Sequence, residues 1–254
     1  MIEGSTMFSR LHSAGLLWPT LLSALALATL VSLGTWQMQR KAWKDDLQLA
    51  IAQRAKAAPE SLDSALKSHR DLAYRRVTVR GRFVNDKERF VYAPHPRLGP
   101  GYHVITPFEI DGSGALVLVN RGYVTEPLKD PSQRAAGQIE GLATVTGLLR
   151  TQSPRGSFDA APDLKSMIWY APDAEAILDS VTTKRRPGDI VMLLDAEAEP
   201  ANAGGWPKGG TTLVKLTNRH FEYAITWYGL AATLIAVFGA FAWGRLRAQA
   251  EAAS

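Results

Sequence analysis

A histidine near the end of the chain is followed by aromatic residues at the spacing of one helical face. The positions i, i+3, i+4, i+7 and i+11 of an α-helix are occupied by His220, Tyr223, Ala224, Trp227 and Ala231. Imidazole is a common metal and haem-iron ligand, and an aromatic ring about two turns further along could lie against a large planar cofactor. The alternative is an ordinary membrane interface, where Trp and Tyr are enriched and a histidine only contacts lipid headgroups.

A second polar stripe follows the first apolar segment of the chain. After Trp36, a continuing helix would carry on one face Gln37, Arg40, Lys41 and Lys44. Such cations can pair with the carboxylates of a ligand. They can equally anchor a helix end, with the tryptophan at headgroup level and the cations facing lipid phosphate. The pattern alone leaves both interpretations open.

Two long apolar segments bracket the rest of the chain. Residues 16–34 carry no charge and are long enough to cross a hydrocarbon core of about 30 Å. A cleaved signal peptide would have a shorter apolar region followed by small residues rather than by Trp36 and Gln37, so an uncleaved membrane helix is favoured. The second segment, residues 223–243, is also long enough to span a membrane.

These segments predict the domain organisation. The expected parts are an N-terminal tail (1–15), a transmembrane helix (16–36), an extramembrane domain (37–217), a second transmembrane helix (218–244) and a C-terminal tail (245–254).

Two spanning helices joined by one domain run antiparallel, so the end of the first and the start of the second lie at the same membrane face. We therefore expect one layer to contain Trp36, Gln37, Arg40, His220, Tyr223 and Trp227. The distribution of Lys and Arg leaves the membrane orientation open.

The composition excludes several classes of function. The 254 residues include no cysteine, which rules out disulfides, thiolate zinc sites, iron–sulfur clusters and cysteine nucleophiles of this chain. The net charge of +5 is spread without a long basic run, which favours contact with a membrane surface over nucleic-acid binding. No GxSxG, HExxH, phosphate-binding loop or paired carboxylates indicate an enzyme.

Between the apolar segments the hydrophobic pattern changes to the period of β-strands. The predicted strands cover residues 77–83, 89–92, 103–106, 115–119, 143–150, 167–170, 190–194 and 211–216, with a short helix over 173–179. We expect an α+β membrane protein in which two terminal transmembrane helices bracket an antiparallel β-rich domain, curled or barrel-like, with a few helices.

Small residues recur every fourth position in both apolar segments. They are Ala24, Ala28 and Ser32 in the first and Ala232, Ala236, Ala240 and Gly244 in the second. Ridges of this kind let helix backbones approach closely, so the two helices are predicted to pair with each other or with a partner protein. Alanines facing lipid are the alternative.

A short polar motif ends one predicted strand. It consists of Asn120, Arg121, Gly122 and Tyr123. The simplest interpretation is a turn with Gly122 at positive φ, and the functional alternative is a surface that contacts a partner.

Taken together in chain order, these motifs resemble the Surfeit-locus cytochrome c oxidase assembly factors, the bacterial and mitochondrial Surf-one family. The resemblance covers nearly the whole chain. The matching residues are Leu33-Gly34-Thr35-Trp36-Gln37 with Arg40 and Lys44, Tyr74-Arg75-Arg76-Val77 with Gly81 and Phe83, Thr106-Pro107, Val119-Asn120-Arg121-Gly122-Tyr123-Val124, and Asn218, His220, Tyr223-Ala224 and Trp227. Residues 153–165 fit the family poorly.

The resemblance implies a haem chaperone rather than an enzyme. Its cargo would be haem a, with His220 as the iron ligand, Trp227 and Tyr223 against the ring, and Arg40 or Lys44 near the propionates. Its partners would be cytochrome c oxidase subunit I, haem a synthase and the lipid bilayer. The expected location is the bacterial inner membrane, with both termini cytoplasmic and the domain periplasmic. A scaffold that binds oxidase subunits without carrying haem is the main alternative, ahead of a membrane-anchored sensor or a membrane enzyme.

Overall fold

The computed structural model describes residues 15–68, 71–151, 156, 159–212 and 218–252. The chain forms two compact units, one from Met1–Leu49 with Leu216–Ser254 and the other from Ala50–Lys215. The first contains the C-terminal helix (His220–Ala252) and most of a long first helix, α1 (Leu17–Lys56), whose last seven residues belong to the second unit. Both are long and apolar enough to cross a membrane, which agrees with the two predicted spans.

The second unit contains eight strands and short helices. The strands are β1 (Glu60–Ser61), β2 (Arg76–Phe83), β3 (Arg89–Tyr92), β4 (Gly101–Ile110), β5 (Leu116–Thr125), β6 (Ala143–Arg150), β7 (Ile168–Trp169) and β8 (Ile190–Ala196). Two α-helices, α2 (Leu62–Ser68) and α3 (Ala174–Val181), lie between them, and the C-terminal helix is therefore α4. Short 3₁₀ turns occur at Asn85–Lys87, Glu126–Leu128, Pro131–Gly137 and Ala203–Gly205.

The sheet closes on itself, which confirms the predicted barrel-like domain. Its strand order is β1-β2-β6-β8-β5-β4-β3-β7, and a further pairing of β4 with β2 closes a ring of five strands. At the closure Gly81 lies opposite Ile110, and Phe83 lies opposite Phe108. Neighbouring strands of the ring are antiparallel, with the exception of β5 and β8, which are parallel. The connection that leads to β8 contains α3, as a crossover between parallel strands commonly does.

Two apolar cores lie on opposite faces of the sheet. Val77, Val119 and Leu194 belong to one core, and alternate residues of the same strands, such as Leu118 and Leu193, pack with α3 in the other. Asp173 caps α3 by accepting a hydrogen bond from the backbone N–H of Ala176. The predicted strands are confirmed apart from their exact ends, but most of the strand expected over 211–216 lies outside the described residues.

The two long helices run antiparallel and contact each other, as predicted, but not through the predicted ridges. Ala24, Ala28 and Ser32 are exposed, as are Ala232, Ala236, Ala240 and Gly244. Instead, the Tyr228 ring packs against Gly34, where an added Cβ would lie 2.7 Å from the ring. Buried Ala224 and Ala231 lie on the contacting side of α4. The ridges therefore do not form the contact between the two helices, because polar contacts and this ring set the rotation of α4 and leave the small residues on its outer side. The predicted alternative of pairing with a partner protein stays a prediction.

The interpretation of the Asn120 motif as a turn or a partner surface was also wrong. The four residues lie within β5, where Asn120 is 3% and Arg121 1% exposed. Gly122 does have the expected positive φ, at 120°. Its neighbour Tyr123 forms two backbone hydrogen bonds with Lys208, so the motif is covered by another segment of the same unit.

Arg121 belongs to a buried cluster of charges. The Glu88 carboxylate accepts hydrogen bonds from both terminal nitrogens of Arg134 and from Gln138, and Arg121 approaches it at 3.5 Å. The other terminal nitrogen of Arg121 donates to the carbonyl of Gly137, and its guanidinium lies over the Phe83 ring. Burial lowers the pKa of Arg121 to about 10, an effect that Glu88 opposes. One carboxylate therefore offsets two buried cations.

Replacing this carboxylate should destabilise the domain severely. Glu88→Gln leaves two buried guanidinium groups without a counter-charge, which should lower the free energy of unfolding by about 3–5 kcal/mol. Urea denaturation of the full chain in detergent, followed by tryptophan fluorescence, measures the loss. The control is Glu109→Gln, which breaks a half-exposed ion pair with Arg186 and should cost about 1 kcal/mol or less. Equal losses in the two variants would contradict the account of the cluster.

A crosslinking experiment distinguishes the observed helix contact from the predicted ridges. Because the chain has no cysteine, pairs can be introduced cleanly. A short bismaleimide should join Thr35→Cys to Tyr228→Cys within one chain, since the two native side-chain hydroxyl oxygens are 3.2 Å apart. Ser32→Cys with Ala232→Cys lies on the exposed ridges, about one turn further along each helix, and should react far less. Preferential crosslinking of the second pair would restore the ridge prediction.

Candidate functional site

The end of the first predicted span and the start of the second meet through their polar side chains. His220 Nδ1 lies 2.6 Å from Gln37 Oε1, across 183 residues of sequence. His220 is the first residue of α4 and Gln37 lies midway along α1. The prediction that these two residues share a layer is confirmed.

The contact determines how the imidazole is presented. An amide oxygen can only accept a hydrogen bond, so this contact favours the tautomer in which Nδ1 carries the proton. In a neutral ring, Nε2 then has a free lone pair. Among the residues that the structure describes, none forms a hydrogen bond with Nε2. This is the state in which histidine binds a metal, with the second nitrogen held by a neighbouring acceptor.

A second polar contact fixes the start of α4. The side-chain oxygen of Asn218 accepts a hydrogen bond from the backbone N–H of His220 at 3.4 Å, as a capping residue does. Its amide nitrogen donates to Asp45 Oδ1 on α1 at 2.8 Å, and Asp45 is also paired with Lys41 at 2.6 Å. Sequence reasoning missed Asp45, because nothing in the spacing of α1 alone marks it as the partner of Asn218.

A third contact lies further along α4. The hydroxyls of Tyr228 and Thr35 are 3.2 Å apart, and the Tyr228 ring fills the notch left by Gly34. Sequence reasoning missed this role of Tyr228, although a glycine followed by Thr35 could have indicated a close approach. Trp227, the residue before Tyr228, is half-buried and lies one turn beyond the buried Ala224.

The remaining predicted site residues lie around this contact. Tyr223 and Trp36 are 52% and 53% exposed, so each presents its ring outward. Arg40 stacks on Trp43, with 3.9 Å between its guanidinium carbon and the ring centre. Lys44 is half-buried, and both cations lie within electrostatic range of the His220 ring. The structure thus brings His220 and Gln37 into direct contact and places exposed aromatic rings and cations on the same stretches of helix.

The other histidines do not form a comparable site. His95 Nδ1 accepts hydrogen bonds from the backbone of Arg97 and Leu98, which gives it a role within a loop. Burial lowers the pKa of His103, so its ring is neutral at pH 7. His12 and His69 lie outside the described residues. Within the part of the chain that the structure describes, no three His, Cys, Asp or Glu side chains are grouped to hold a metal ion. Three such ligands are therefore not available to a metal bound at His220 within the described residues.

Known proteins resemble the chain over most of its length. The sequence profile of the SURF1 family matches residues 24–232. Surfeit locus protein 1 of Rattus norvegicus is 34% identical over 220 residues, covering 81% of this chain and 69% of the relative. The SURF1-like protein of Monosiga brevicollis is 33% identical, covering 81% and 80%, and Surfeit locus protein 1 of Gallus gallus is 35% identical, covering 87% and 73%.

The profile match begins within α1 and ends within α4, so it includes both residues of the interhelical contact, Gln37 and His220. With a match of this extent and relatives above 30% identity, the chain belongs to the SURF1 family.

Proposed function

We propose that this protein is a membrane-bound assembly factor for haem-copper cytochrome c oxidase that binds haem a through His220 and assists its insertion into subunit I. The observation that carries the proposal is the hydrogen bond from His220 Nδ1 to Gln37, which leaves Nε2 available to iron. Membership of the SURF1 family supports the assembly role.

The residues around His220 fit a porphyrin that is held temporarily. Trp227 and Tyr223 supply aromatic surface for a planar ring, and Trp36 supplies more from α1. Arg40 and Lys44 supply the positive charge that propionates require. A single imidazole ligand suits cargo that must be released, whereas a second strong ligand would retain the iron.

The proposal also assigns partners and a location. Haem a synthase would supply the cargo, oxidase subunit I would receive it, and the lipid bilayer would hold both helices; no role in nucleic-acid binding or catalysis is proposed. The location would be the inner membrane of a bacterium, with the β-rich domain in the periplasm and both termini in the cytoplasm. The two helices long enough to span a membrane support the membrane location, and the resemblance described above is the basis for the rest.

Loss of the imidazole should abolish cargo binding. His220→Ala, purified in detergent from cells that make haem a, should contain at least about tenfold less haem than the wild type, because the proposed iron ligand is gone. Visible absorption spectra measure the occupancy. The matched control is His95→Ala, which removes a loop histidine and should leave the spectrum unchanged. Full haem occupancy in His220→Ala would rule out the ligand role.

The same variants test the scaffold alternative. If His220→Ala loses haem but assembles oxidase normally, the chain acts through protein contacts rather than through its cargo. Asn120 and Arg121 are unsuitable positions for testing that alternative, because both are buried and their substitution should destabilise the domain itself.

Labelling of single cysteines tests the orientation. Lys87→Cys lies at an exposed position of the domain and should react with a membrane-impermeant maleimide in intact spheroplasts. Ala248→Cys, exposed near the end of α4, should react only after lysis. The reverse pattern would place the domain in the cytoplasm and contradict the proposed topology.

A further inference from the structure

The imidazole of His220 has one side-chain partner among the described residues, and this partner comes from the other helix. Gln37 Oε1 lies 2.6 Å from Nδ1. The two neutral tautomers of imidazole are close in free energy, so a hydrogen bond to one nitrogen selects which of them is populated. The side chain of Gln37 therefore controls which nitrogen of His220 is bare.

We propose that Gln37 is a positioning residue: it holds His220 in the Nδ1–H tautomer, orients the ring, and sets how tightly Nε2 retains the iron of the cargo. The inference deepens the proposed function and rests on it for the last of these roles. The tautomer and the orientation belong to the protein without cargo and can be tested separately.

The neighbouring contacts allow Gln37 to act on the ring alone. The backbone of His220 is held independently, through Asn218 to Asp45, and the helices are joined a second time between Thr35 and Tyr228. Removing the Gln37 amide therefore frees the imidazole while the two helices remain in contact. An effect of Gln37 on the imidazole can therefore be distinguished from a weakened contact between the two helices.

The chemical nature of the Gln37 side chain is suited to transient binding. An amide oxygen orients the ring and raises its basicity only moderately, whereas a carboxylate at the same place would give the imidazole more anionic character and a stronger bond to iron. Gln37→Glu should therefore retain cargo longer than the wild type. Gln37→Met, of similar length but unable to accept a strong hydrogen bond, should release it faster.

The first arm of the experiment uses the full chain without haem. Protein labelled with ¹⁵N-histidine is examined by NMR in detergent at a pH where the rings are neutral, and the His220 signals are assigned by their loss in His220→Ala. Wild type should show a protonated Nδ1 and a bare Nε2. Gln37→Met should show a mixture of tautomers, and the control Tyr228→Phe, which removes only the hydroxyl that meets Thr35, should resemble the wild type.

The second arm measures release of haem a from loaded protein to excess apomyoglobin. Substitution of a residue that orients a metal-binding histidine weakens metal binding by about 10–100-fold, so Gln37→Met should lose haem at least about tenfold faster than the wild type. Gln37→Glu should lose it more slowly, and Tyr228→Phe should match the wild type.

The two arms separate the inference from the function on which it rests. If no variant and no wild type binds haem, the proposed function fails, while the NMR result still decides the tautomer. If haem binds but Gln37→Met keeps a single Nδ1–H tautomer and the wild-type release rate, the inference is overturned. A wild-type ring protonated at Nε2 would overturn it as well.

Discussion

The hydrogen bond between Gln37 and His220 is the constraint on which the functional interpretation depends. It joins two helices whose sequences are separated by an entire β-rich unit. A histidine at a helix start would otherwise be free to rotate and to exchange its proton between two nitrogens. With Nδ1 engaged, the ring has one orientation and one nitrogen without a proton, which is the arrangement that a metal-binding histidine requires.

Three polar contacts hold the helix pair together at successive levels. Asp45 meets Asn218, Gln37 meets His220, and Thr35 meets Tyr228. Lipid chains are as apolar as the helix surfaces, so apolar burial gives little net preference for pairing in a membrane. Hydrogen bonds and the fit of the Tyr228 ring against Gly34 supply that preference here. They also explain why the small-residue ridges face outward.

The sequence predicted the fold class, most strands and the shared layer of Gln37 and His220, but not their direct hydrogen bond. The strands could be predicted because alternate residues of a strand are buried. The shared layer could be predicted because two spans joined by one domain run antiparallel. The failures have a common cause. The rotation of α4, the parallel insertion of β8 and the burial of Arg121 each depend on a partner distant in sequence. The polar motif that begins at Asn120 was predicted to be exposed, because the partners that bury it are distant in sequence and cannot be identified from the motif alone.

The central claim is that Nε2 of His220 is the iron ligand of the cargo. The most direct measurement is the resonance Raman spectrum of the ferrous, haem-loaded full chain, in which a bond between iron and a histidine nitrogen gives a stretching band. The account predicts that this band moves to lower frequency when the protein is labelled with ¹⁵N-histidine. A haem-loaded protein whose iron–ligand band is absent or unmoved by the label would contradict it.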